Sequence, residues 1–320
     1  MLLVKRHNMF ESPQKNTIRN QHRLFNLPDL TNIIDSYSFE YILKPFFKDN
    51  VDKIDCRYLS SNLNSVDLLR ENLHKIDMSF LIENTNAVDL IRNNINDYTN
   101  WDELSANPCA IDILLENPTK IVWNKLSINP NAIDIIKKNL DKIDWCKLAL
   151  NKNPKAVDIL RKNKDKINWM FLSTNINAIE LLSENKDKID WDIFSENYNA
   201  IELLTENQDK IDWMFLSMNT NAIELLKENK EKINWIMLSE NPNAIELLRE
   251  NQDKIDWLSL STNLNAIELL RENKDKINWY ILNQNINAVD FLIENPNKID
   301  WNIIWKNPSI FTVSRFNDNL

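Results

Sequence analysis

Residues 257–278 read WLSLSTNLNAIELLRENKDKIN, and close variants of this string fill most of the chain. Ten of the eleven tryptophans keep its register: Trp101, Trp123, Trp145, Trp169, Trp191, Trp213, Trp235, Trp257, Trp279 and Trp301. The step is 22 residues throughout, except for one of 24 between Trp145 and Trp169. Backward extension reaches Met78 and Cys56, which sit in the same context, KIDM and KIDC. A period of this size marks a stacked-repeat architecture, in which no unit buries its apolar face alone.

From the tryptophan, the unit is W-x-x-L-S-x-N-x-N-A-I-E-L-L-x-E-N-x-D-K-I-D. Its second half predicts an α-helix with Asn265 as N-cap and Glu268 reaching back, a relative of the capping box. The same Asn-Ala-Ile-Glu stands at Asn177, Asn199, Asn221 and Asn243, with Asp for Glu after Asn131. Ile267 and Leu270 share one face. The chain has no glycine, so Asn273 is expected to close this helix in the left-handed conformation. Asn219, Asn241 and Asn263 are expected to close the first helix in the same way, with Pro108, Pro130, Pro242 and Pro308 as stops. The first helix is short, capped by Asp190, Asp212 or Asp256 before the tryptophan, and either α or 3₁₀. Neither helix is long enough to persist alone. Stacking therefore supplies the core, from Trp, Leu, Ala, Ile and Leu of each unit. The expected fold is an all-α solenoid of about twelve two-helix repeats with non-repetitive caps, a curved rod on the order of 100 Å long.

The repeats span residues 51–303, with units starting at Cys56 and ending in a truncated one at Trp301. The Met78 unit carries one extra residue near 95–100. The Trp145 unit carries two, in LALNKNPKAV, which should swell the loop between its helices. Residues 27–50 read as a helical N-terminal cap. Residues 304–320 read as a C-terminal cap, with Phe311 and Phe316 able to cover the last layer. Residues 1–26 form a basic, partly disordered arm, with Lys5, Arg6, Lys15, Arg19 and Arg23 against Glu11.

The formal charge of −9 disfavours nucleic acid and acidic membranes as partners. Cys56, Cys109 and Cys146 are scattered and odd in number, which argues against a disulfide framework or a zinc site. The N-terminal apolar run is too short for a signal peptide, and no stretch is long enough to span a membrane. A soluble, intracellular protein is expected.

The units resemble the short Asn-rich repeats, of the form NPNAIxLLExNxDKIDWxxLS, found in many proteins encoded by giant DNA viruses. The resemblance covers about residues 50–311, including the terminal NPSIF. It implies a helical array that mediates interactions, in the host cytoplasm or the virion, and little more about chemistry. Leu27-Pro28, Ile33-Ile34 and Tyr37 faintly resemble the F-box-like segment that precedes other viral repeat arrays, without the acidic-apolar pair expected after Leu-Pro.

Catalysis finds no support in the pattern. The carboxylate series Glu180, Glu202, Glu224, Glu246, Glu268 and Glu184, Glu206, Glu228, Glu250, Glu272 sits in near-identical environments, whereas a catalytic pair needs unequal ones. Lys188, Lys210, Lys232, Lys254 and Lys276 follow the second helix, where they suit its negative end. His7, His22 and His74 form no metal cluster. Without glycine there is no phosphate-cradling loop, so no cofactor is expected. The tryptophans could be a stacking platform for sugars or bases, but Cys56 and Met78 replace them, which fits packing. The informative residues lie one beyond each tryptophan: Met170, Met214, Ile236, Leu258 and Tyr280. Either they form an exposed apolar stripe that binds a partner, or the short helix is buried on both sides and they are core. The expected function is a non-enzymatic scaffold for a protein partner. A self-associating virion or assembly protein, and a nucleic-acid-binding helical repeat, are the alternatives.

Overall fold

The computed structural model describes residues 39–315. The proposed arm at 1–26, the F-box-like residues and Phe316 lie outside the described residues. The chain is an all-α repeat solenoid. Each regular unit contains a first helix, a second helix and a 3₁₀ turn, as in Trp257–Thr262, Ile267–Glu272 and Lys274–Lys276. The first helix is α in every unit except the last, where Ile304–Lys306 is 3₁₀.

The capping residues divide their labour differently from the sequence expectation. The Asp or Asn before the tryptophan does cap the first helix: Asp256 accepts from Ser259 N, and Asn278 from Ile281 N; Val122, before Trp123, has no polar side chain to do so. The Asn of Asn-Ala-Ile-Glu does not cap the second helix, which starts after Ala266 with no side-chain cap. Asn265 instead donates to Pro242 O in the preceding unit. Neither helix ends in a left-handed residue. Asn263 is extended, with φ −68° and ψ 118°, and Asn273 has φ −131° and ψ 51°. Asn273 closes its helix with its side chain, donating from Nδ2 to Leu269 O at 3.0 Å. An amide side chain can thus satisfy a helix-end carbonyl without the backbone twist that glycine permits.

Asn263, at the seventh position, works between units. It is buried, and its Nδ2 donates to Ser239 O at 3.0 Å and to Asn241 O at 2.9 Å, while Oδ1 accepts from Asn265 N. Its own carbonyl accepts from Asn285. The serine of Leu-Ser makes a second tie. Ser261 donates to Trp257 O and accepts from Asn278 N at the start of the next unit.

The Trp145 unit absorbs its two additional residues in the helix rather than the loop. Pro154 and Lys155 open a second helix of eight residues, Pro154–Arg161, with Asn153 as a true N-cap and proline where no N–H is needed. In the Met78 unit the extra residue replaces the 3₁₀ turn by a turn in which Thr99 Oγ1 accepts from Asn96 N.

The ends meet, and the solenoid is a closed ring rather than a rod. Strand β1 (Phe39–Leu43) pairs antiparallel with β2 (Phe311–Arg315), with Phe39 opposite Arg315 and Leu43 opposite Phe311. Residues 39–43 of the expected helical cap are therefore strand, and among its described residues Pro45–Lys48 is the α-helix; residues 27–38 lie outside the described residues. The truncated Trp301 unit is completed by the N-terminus. Pro45–Lys48 takes the place of its second helix, Asn50 donates to Phe46 O at 2.8 Å as Asn273 does to Leu269 O, and Val51–Lys53 is the 3₁₀ turn. Phe47 is fully buried, its ring 6.2 Å from that of Trp301 and 6.0 Å from that of Trp305.

Asn62 of the Cys56 unit donates to Trp305 O at 2.8 Å and Asn307 O at 3.0 Å. That is the bond pattern Asn263 makes to its sequence neighbour. The buried asparagines Asn62, Asn84, Asn107, Asn129, Asn151, Asn175, Asn197, Asn219, Asn241, Asn263, Asn285 and Asn307 thus form an unbroken circle, each donating to the unit behind it. No terminal layer needs covering, because the two ends cover each other.

Candidate functional site

Curvature sorts the helices into two layers. Successive first helices pack directly on one another. The second helices are spread further apart and are spanned by long side chains, such as Arg249 to Glu272 at 2.7 Å and Arg161 to Glu184 at 2.6 Å. The first helices are therefore the inner layer. Lys306 Nζ also comes within 3.5 Å of Glu83 Oε2, over the whole Cys56 unit. Such a reach is open only on the concave side. Twelve first helices at about 8–10 Å spacing lie on a circle of roughly 15–19 Å radius. Subtracting about 5–6 Å for a helix and its side chains leaves an opening roughly 20–26 Å across.

The first helix has one buried and one open face. Trp257 and Leu260 point to the core, Leu260 completely buried and Trp257 partly so. Leu258 and Thr262, four residues apart and hence on one face, are exposed. The five stripe residues are all on that open face: Met170 is 43% exposed, Met214 40%, Ile236 54%, Leu258 54% and Tyr280 59%. They are not core. Met214, Ile236, Leu258 and Tyr280 come from four consecutive units, and Asp192 separates them from Met170. Continuing round the ring, the same position is held by Asn302, Arg57, Ser79, Asp102, Asn124 and Cys146. The inner wall thus has an apolar arc and a polar arc.

The companion position, four residues after each stripe residue, was not singled out from the sequence. It places Thr174, Met218, Glu240, Thr262 and Gln284 on the wall of the apolar arc, with Glu196 four residues after Asp192. The four-residue spacing along the first helix and the turn that follows it is the signal that identifies them.

The in-register tryptophans are half-buried, and Trp123, Trp191, Trp213, Trp235, Trp257, Trp279 and Trp301 lie under lysines rather than open for ligand stacking. Lys232 Nζ lies 4.4 Å from the Trp213 ring centroid, Lys276 4.5 Å from Trp257, and Lys53 4.3 Å from Trp301 across the seam. Part of the carboxylate series forms ion pairs: Glu180, Glu184, Glu206 and Glu272 with a basic residue of the preceding unit, Glu224 and Glu268 within their own helix. Arg161 beside Glu184, and Arg249 beside Glu272, hold those carboxyls below the usual range through their hydrogen bonds. These are exposed pairs, of small consequence for stability. Burial pushes the Cys109 thiol up, away from the reactive thiolate. Among the described residues, no group of His, Cys, Asp and Glu is arranged to hold a metal ion, and no helix is long and apolar enough to cross a membrane. Comparison with protein-family models, curated proteins and solved structures gives no match.

Proposed function

We propose that this ring is a non-enzymatic scaffold that binds a protein partner on its inner wall, through Met214, Ile236, Leu258 and Tyr280 with Met170 at the margin. The observation that carries the reading is their exposure on one face of consecutive inner helices. Large apolar side chains gathered in this way are unusual on a free protein surface and mark interaction sites. Methionine lets such a wall adapt to its ligand. The ring is held by bonds that recur in each unit, so a partner meets a pre-organised wall and little ordering cost is added on binding. Capture of partners from the native cell, run beside Ile236→Asn/Leu258→Asn, tests the reading. Partners that bind the intact ring and are lost with the variant agree with it; an unchanged set removes the inner wall as the site.

A second reading, self-association, has an observation of its own. The Asn-x-Asn connections between the inner and outer helices carry a single charged residue, Lys152, round the whole ring. Leu63, Tyr198, Leu264 and Ile286 are exposed there. Light scattering against concentration, repeated with Leu264→Lys/Ile286→Lys, separates a face-to-face assembly from a monomeric ring.

A further inference from the structure

The apolar arc is also an acidic one. On the inner wall of the units from Trp169 to Trp279, the exposed charged side chains at the stripe position and its i+4 companion are Asp192, Glu196 and Glu240, with no lysine or arginine. Among the described residues none of the three is held in an ion pair. On the opposite arc the same two positions are balanced, with Arg57 and Lys306 against Glu83 and Asp102, and Lys306 is paired with Glu83. The lysines of the 3₁₀ turns, such as Lys232 and Lys254, lie over tryptophan rings. At the stripe position and its companion, the wall that offers the apolar contacts therefore offers unpaired negative charge and no positive charge, while the lysines over the tryptophans stand beside it.

We infer that the occupant of the ring is a basic amphipathic helix, lying with its apolar face on Met214, Ile236, Leu258 and Tyr280 and its flanking lysines or arginines against Asp192, Glu196 and Glu240. This rests on the reading of the inner wall as the docking surface. An amphipathic helix presents an apolar stripe of about 100° bordered by polar residues. With side chains it is about 10–12 Å thick, so it enters the opening and contacts one arc at a time. Helix-in-groove docking uses apolar anchors for affinity, and the carboxylates at the border select the sign of the flanking charge. An acidic or nucleic-acid ligand would bring like charge to the same wall.

The test uses the full chain and two fluorescently labelled model peptides of about 18 residues, roughly five helical turns. One is a leucine/lysine amphipathic helix, and the other has glutamate in place of every lysine. The leucine/lysine peptide is expected to bind, to weaken as salt is raised, and to lose about tenfold or more in affinity with Glu196→Lys/Glu240→Lys. It is expected to lose as much with Leu258→Asn/Tyr280→Asn, whose substitutions are on the open face and leave the core intact. Equal binding of the glutamate peptide, or no effect of the charge reversal, overturns the basic occupant and leaves the wall as an apolar docking surface. No effect of Leu258→Asn/Tyr280→Asn overturns the docking surface itself. Absence of binding by both peptides overturns the inference.

Discussion

Trp305 Nε1 donates to Lys53 O at 2.8 Å, although 252 residues separate them in sequence. The bond lies inside a single structural unit, whose first half is C-terminal and whose remainder is N-terminal. Phe47 is the buried apolar centre of this split unit. Phe47→Ala should cost about 3–5 kcal/mol in global stability. It should also open the seam before the rest of the ring, visible as a larger radius of gyration in solution scattering at denaturant concentrations where helicity persists. Trp305→Phe keeps most of the packing and removes the bond to Lys53 O, at a cost of about 1–3 kcal/mol.

Closure makes a sharper prediction at Asn62. In an open array it would lie on a free end and matter little. In the ring it makes the same two donations as Asn219, which bonds Ser195 O and Asn197 O, both at 3.0 Å. Asn62→Ala and Asn219→Ala should therefore destabilise by similar amounts, each about 2–4 kcal/mol for stranding two buried carbonyls. Chemical denaturation of both variants measures this. A near-neutral Asn62→Ala would place the Cys56 unit at an open end. Asn219→Asp should be worse than the alanine variant, because it brings a buried negative charge toward two carbonyl oxygens.

The strands of the seam carry a pH dependence. Burial raises the carboxyl of Glu40 above its ordinary value of 4.5, and repulsion from Asp67 and Glu71 adds to it. An acid whose folded value is raised costs stability when ionised. The penalty is absent below the ordinary value and grows as pH rises through the folded one. Glu40→Gln should therefore be more stable than the native chain at pH 7 and indistinguishable from it at about pH 3. Hydrogen exchange of the paired Ile42 and Thr312 segment at the two pH values reads the difference. A constant difference across pH would assign the effect to packing instead.

The 22-residue ruler and its apolar substitutions made the repeat, its two helices and its core legible, because periodic burial leaves a periodic sequence. The roles of the asparagines were not. A single unit cannot show whether an amide caps its own helix or bonds the next layer, since both uses place Asn at a helix end. Closure has a signal in the sequence: Asn50-Val51-Asp52-Lys53-Ile54-Asp55 matches the Asn-x-Asp-Lys-Ile-Asp that ends units at 139–144, 185–190, 207–212 and 251–256. The array thus starts with the end of a unit, and it finishes with the start of one at Trp301–Asn307. Two complementary halves at opposite ends are what a ring requires. The stripe residues were visible as the places where units disagree. Their carboxylate neighbours became visible only once the inner helix had an observed open face.

If the seam is an ordinary unit interface, the position of the chain ends is arbitrary and can be moved. Arg315 pairs with Phe39 at the open end of an antiparallel ribbon, so a two-residue Asn-Gly turn can join them as a hairpin. A permuted chain running from Asn221 through Arg315, across that turn to Phe39, and on to Thr220 cuts only an exposed Asn-x-Asn connection. It should fold with native helicity, and its stability should be close to that of the linear chain 39–315, since one connection is gained and one lost. The uncut, fully cyclised chain should exceed both by up to about 5–6 kcal/mol, the loop-closure entropy removed from the unfolded state. A permutant that fails to fold while the linear 39–315 chain folds would show that the seam differs from the other unit interfaces in kind. Equal unfolding midpoints for permutant and linear chain would place the split unit on the same footing as the rest of the ring.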